Sequence, residues 1–91
     1  MAYIYVRHRV ENYARWREGF DTHAAARQAG GATDEVYVMR NVDDPNDLTI
    51  ILGWSDLENA RAFTQSASLK ESMQKAGVTG QPEIRFLEAA G

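Results

Sequence analysis

The sequence predicts an α+β fold of element order βαββαβ, a four-stranded antiparallel sheet with helices on one face. Three observations predict it. Four short segments rich in Val, Ile, Leu and aromatic residues carry strand-like patterns. One longer segment places its apolar residues three and four apart, the period of a helix. Two S-x-x-E signatures mark a second helical region cut in two.

Ala2 to Val10 reads as the first strand, with Ile4, Val6, His8 and Val10 on one face and Tyr3, Tyr5, Arg7 and Arg9 on the other. A helix follows. Asn12 suits its N-cap, Tyr13, Trp16, Phe20, His23 and Arg27 form its inner stripe, and Gly30-Gly31 stops it. Asp34 to Asn41 is the second strand, with Val36 and Val38 opposing Tyr37 and Met39. Asp43-Asp44-Pro45-Asn46-Asp47 is turn chemistry, and Leu48 to Trp54 is the third and most apolar strand. Ser55-Asp56-Leu57-Glu58 and Ser68-Leu69-Lys70-Glu71 place two short helices just after Ser55 and Ser68. Gly77 and Gly80 end this region, and Pro82 to Ala89 is the fourth strand. The economical packing is a ferredoxin-like sandwich, which carries the strand order 4-1-3-2.

The 91 residues make one domain, 1–91. A hydrophobic fraction of 44% and a charged fraction of 25% exclude wholesale disorder. Ten Lys+Arg against 13 Asp+Glu leave a net charge of −3, which argues against nucleic acid or an anionic membrane as partner. The near-apolar run Leu48 to Trp54 is too short to cross a bilayer, and the opening residues lack the pattern of a signal peptide, so a cytoplasmic location is expected. Without cysteine there is no disulfide, no thiolate nucleophile and no zinc–thiolate site. No glycine-rich phosphate loop and no G-x-S-x-G is present, and the carboxylates fall at turns, caps and outer faces. His8 belongs beside Tyr13 and Trp16, whereas His23 lies about 10 Å of helix rise further on. The two histidines are therefore not expected to share a metal, and no cofactor is called for.

Both faces of the sheet read as apolar. Strand one sets Ile4 and Val6 against Tyr3 and Tyr5, strand two sets Val36 and Val38 against Tyr37 and Met39, and Ile51 backs the apolar face of strand three. Helices cover one face only. The expected cover for the other is a second copy of the same sheet, a two-fold homodimer.

Trp54-Ser55-Asp56 followed by Ala60, Phe63, Ser66 and Leu69 resembles the dimeric α/β-barrel superfamily, in its antibiotic-biosynthesis-monooxygenase-like branch. The opening strand with Tyr13 and Trp16 behind it is similar to small relatives labelled cyclases. The resemblance implies a barrel formed by two sheets and a pocket between sheet and helices for a small aromatic or polyketide-like compound. Many members have a His in the second helix where this chain has Phe63, so a role tied to that His is not carried over.

The residues suited to chemistry gather at one end of the inner stripe. His23 is the candidate base and Arg27 the candidate oxyanion partner, with Trp54, Phe63 and Phe20 as walls; Tyr37 and His8 are further candidate ligand contacts. A planar anionic or phenolic ligand fits such a mouth. Two readings of these residues stay open: a proton-transfer site, or a helix-end His23 bonded to a carbonyl with Arg27 reaching solvent and His8 satisfied in the core. They correspond to a cofactor-free monooxygenase or cyclase and to a non-catalytic ligand-binding or stress-associated barrel. Arg7 and Arg9 need carboxylate partners, for which Glu83 and Glu88 are the candidates.

Overall fold

The alternation of Ala2–Val10 becomes the central strand β1 of the computed structural model, which describes residues 2–90. It is followed by α1 (Tyr13–Thr22), α2 (Ala24–Ala29), β2 (Ala32–Asn41), β3 (Asp44–Trp54), α3 (Leu57–Thr64), α4 (Ala67–Lys75) and β4 (Val78–Glu88). The sheet has the order β2-β3-β1-β4 with every pairing antiparallel. Ile4 stands between Leu52 and Phe86, and Val6 between Ile50 and Ile84. This register collects one apolar face, onto which the helices lay Trp16, Ala60 and Phe63. The α+β sandwich and its split second helical region are as the sequence predicts.

The differences are local. The first helix is interrupted at His23, whose φ of −83° and ψ of 2° lie in the bridge region between α and β backbone. Neither Pro nor Gly marks the break. One residue earlier the Thr22 hydroxyl donates to the Glu18 carbonyl at 2.8 Å, a bond that bends helices. The caps of α3 and α4 are Asp56 and Ser66, not Ser55 and Ser68. Asp56 Oδ1 accepts from the Asn59 amide at 2.7 Å, and Ser66 Oγ accepts from the Leu69 amide at 3.2 Å. Ser55 instead ties the chain to the first helical region, its amide donating to the Gly31 carbonyl at 2.8 Å.

The β2–β3 turn shrinks to Val42-Asp43, and β3 begins at Asp44. Asn41 pairs with Asp44 and Arg40 with Leu48, so Pro45, Asn46 and Asp47 form a bulge in which proline is tolerated. Strand β4 likewise starts earlier than Pro82, at Val78. Arg7 and Arg9 find their carboxylates on β3 rather than β4: Arg7 Nη2 meets Asp47 Oδ2 at 2.8 Å, and Arg9 pairs with Asp44. The Arg7 hydrogen bond, aided by Asn41, holds the Asp47 carboxyl well below the ordinary range, at about 2.

Trp54 is fully buried, and its indole N–H donates to the Gly30 carbonyl at 2.8 Å. Gly31 beneath it has φ +113°, and a Cβ there would stand 2.7 Å from Ser55 Oγ. The turn that seats Trp54 therefore requires glycine. The sheet face away from the helices is open: Tyr37 is 53% and Met39 50% exposed.

Candidate functional site

Between the helix-covered sheet face and α4 lies a cavity of about 60 Å³. Its floor is Ile4, Val6, Ile50 and Leu52, and its roof includes Leu69 and Met73 of α4. Gly19 lets α4 close over it, because a Cβ at that position would lie 3.1 Å from Ala76 Cβ. The polar groups in the wall are few: His8, His23, Arg27, Thr64 and Ser72.

Arg27 is buried, with only 7% of its surface exposed. Its Nη1 donates to the Phe20 carbonyl at 2.7 Å, and its guanidinium carbon lies 3.8 Å from the centre of the Phe20 ring. Among the described residues no carboxylate reaches within 4.0 Å of it. A planar cation with one neutral acceptor retains donors for a planar anion. Burial lowers its pKa from that of a free guanidinium.

His23 sits in the break between α1 and α2, where the side chain reaches the cavity from a helix end. Its ring centre lies 5.9 Å from that of Phe63, and Nε2 shares a hydrogen bond of 3.2 Å with Ser68 Oγ. Which of the two donates depends on the tautomer. Desolvation first, and the charge of Arg27 second, lower the His23 pKa below the ordinary histidine value. The ring is therefore neutral at pH 7, and in the tautomer whose Nε2 donates to Ser68 the Nδ1 lone pair is left to accept a proton. Trp16, Phe20 and Arg27 form one stack, with Trp16 and Phe20 centred 4.9 Å apart. The aromatic side chains themselves occupy much of the space between helix and sheet.

No protein-family model matches the chain, and no curated protein matches it either. Solved structures do. A protein of Bordetella bronchiseptica classed as an antibiotic biosynthesis monooxygenase superposes with a TM-score of 0.81 at 17% identity, over 98% of this chain and 96% of that one. SnoaB, a cofactor-independent oxygenase from Streptomyces nogalater, superposes with a TM-score of 0.78 at 19% identity, over 99% and 93%. A Deinococcus radiodurans protein of the first class reaches 0.72 at 18% identity, over 100% and 94%. The chain has the fold of the antibiotic biosynthesis monooxygenases.

Within that antibiotic-biosynthesis-monooxygenase fold, five of the seven sequence-derived candidates line one cavity: His8, Phe20, His23, Arg27 and Phe63. Two do not. Trp54 stands behind Phe63, ring centres 4.6 Å apart, and is a fully buried buttress rather than a wall. Tyr37 pairs with Ile51 and points from the opposite face of the sheet, where strand alternation puts it. Arg27 folds back over Phe20 rather than reaching solvent. The sequence reading missed α4: Leu69, Ser72 and Met73 enter the wall, and Ser68 meets His23. The spacing of Leu69, Ser72 and Met73, three and one apart, is a helical stripe that could have pointed there.

Proposed function

We propose that this chain binds a small ring-bearing anion between its sheet and its helices and moves a proton on it. The observation that carries the reading is Arg27, a buried cation with no carboxylate within 4.0 Å among the described residues, beside a neutral His23 in a largely apolar wall. In this reaction His23 takes a proton from the substrate and the Arg27 fork holds the oxyanion that results. The enolate or phenolate then carries electron density on carbon. O₂ can add at that carbon, and the peroxide loses water as a carbonyl forms there, the substrate itself being the reductant, as a cofactor-free monooxygenase would require; or a carbonyl of the same molecule can accept it and then lose water, as a cyclase would. SnoaB, named as a cofactor-independent oxygenase, lends support by likeness of fold alone.

The cavity of about 60 Å³ holds a few water molecules, against the ~150 Å³ that accepts a benzene ring. Binding therefore moves side chains, and α4, which buries no residue completely, is the element free to yield.

The working particle is a cytoplasmic homodimer. Tyr37 and Met39, with the half-buried Tyr5 and Ile51 beside them, form a face that a second copy would cover. Arg7 and Arg9 on that face already have Asp47 and Asp44, so pairing two sheets strands neither cation.

The test is incubation of the purified protein with phenolic and β-dicarbonyl ring compounds under air, followed by mass spectrometry. Gain of oxygen, or loss of water on ring closure, that disappears in H23A supports catalysis. Ligand-induced thermal stabilisation with no conversion makes it a binder. Neither effect with any ring compound overturns the reading.

A further inference from the structure

One buried polar atom plays no part in this proton transfer. His8 is 5% exposed, lines the same cavity, and its Nδ1 has no hydrogen-bond partner among the described residues. An orphaned donor or acceptor inside a protein is rare and costly to leave unmet. The surroundings do not serve it. The Trp16 ring is inclined 64° to the imidazole with centres 5.8 Å apart and makes no hydrogen bond to it, and the neighbouring Val6 and Leu48 offer only hydrocarbon.

The backbone is also remodelled here. Arg7 pairs with Glu83 and Arg9 with Thr79, so Gly80, Gln81 and Pro82 of β4 stand against His8 alone. Bulges of this kind re-aim a side chain and cluster beside binding sites. His8 packs on Trp16, and His23 lies seven residues further along the helical region, about 10 Å of rise. The cavity thus has a cationic end at Arg27, with the neutral His23 beside it, and a neutral polar end at His8, joined by largely apolar walls. Trp16, against which His8 packs, stacks on Phe20, over which the Arg27 guanidinium lies, so a ring seated along that stack would offer opposite edges to the two ends.

We infer that His8 is a second anchor that selects ring anions carrying a hydroxyl on the edge opposite the anionic group. This inference rests on the cavity reading above. A hydroxyl both donates and accepts, so it satisfies Nδ1 in either tautomer of the ring.

The probes are benzoate, which has the anionic group alone, and 4-hydroxybenzoate, which adds the opposed hydroxyl. Calorimetric titration of the wild-type chain should show 4-hydroxybenzoate bound about tenfold more tightly, ~1.4 kcal/mol. H8L should lose the preference, binding the two acids within about twofold of each other. H8N, whose amide reaches the position of Nδ1, should recover part of it. Imidazole ¹⁵N resonances of the wild-type protein provide a readout that needs no variant: His8 should respond to 4-hydroxybenzoate and not to benzoate. Equal affinity for the two acids, or a preference that persists in H8L, overturns the His8 assignment and leaves the Arg27 site standing. Failure of both acids to bind overturns the two together.

Discussion

Replacing Arg27 by Met separates a binding cation from a structural one. On folding the substitution removes a hydrogen bond from a charged donor to the Phe20 carbonyl, ~1.5–3 kcal/mol, and a stacked cation–π contact of ~1–2 kcal/mol. It also removes the cost of burying a cation without a counter-charge, several kcal/mol in the other direction. The Phe20 carbonyl keeps the His23 amide as a donor, so no acceptor is orphaned. Met matches the length of the lost side chain. The net change in stability should lie within about 1 kcal/mol. Binding is different, because nothing else in the wall carries positive charge. Loss of the charge-assisted bonds to an anion should weaken benzoate by about 10- to 150-fold. Trp16 lines the cavity, so its fluorescence reports occupancy, and thermal melts report the fold. A folded R27M that binds benzoate as tightly as the wild type refutes the anion-site reasoning. A variant destabilised by more than about 3 kcal/mol would make Arg27 a structural cation instead.

His23 must be neutral to accept a proton, and its pKa is depressed, so activity should rise through a midpoint below 6.5 and be flat above it. Rate profiles across pH 4–8 check this; an acid limb centred above 6.5 contradicts the stated causes. W54F should cost ~2–4 kcal/mol in denaturant unfolding, since it leaves the Gly30 carbonyl without its indole donor, while benzoate affinity changes less than twofold. Light scattering should give about 20 kDa, twice the 10.2 kDa chain, and M39E on the open sheet face should shift it toward a single chain.

Most of the fold was legible because period and burial coincide. The alternation of Ile4, Val6 and His8 fixes which face of β1 is covered, and Tyr13, Trp16 and Phe20 repeat at helical spacing. What escaped was set by contacts distant in sequence or by competition among equals. Asp56 and Ser55 both suit an N-cap, and Asp56 prevails because the Ser55 amide is drawn to the Gly31 carbonyl, 24 residues away. Ser68 looked like a cap and is the partner of His23. The break at His23 has no local sign except Thr22, whose bond to Glu18 is seen only once the helix exists.

The site followed the same division. His23, Arg27 and Phe20 were readable from one helical stripe, since a shared face means a shared wall. Trp54 was misplaced because strand alternation tells which face a residue is on, not how deeply it lies. The orphaned Nδ1 of His8 is set by which atoms surround one ring, and no periodicity announces that.

The account turns on whether a ring anion enters between α4 and the sheet. The most direct measurement is a titration of the wild-type protein with benzoate followed by side-chain NMR of the Arg27 Nε–H, the His23 ring and the Met73 methyl. Saturable shifts in all three, with the Tyr37 and Met39 signals unmoved, are the predicted result. Shifts confined to the open sheet face, or none at millimolar benzoate, would contradict it.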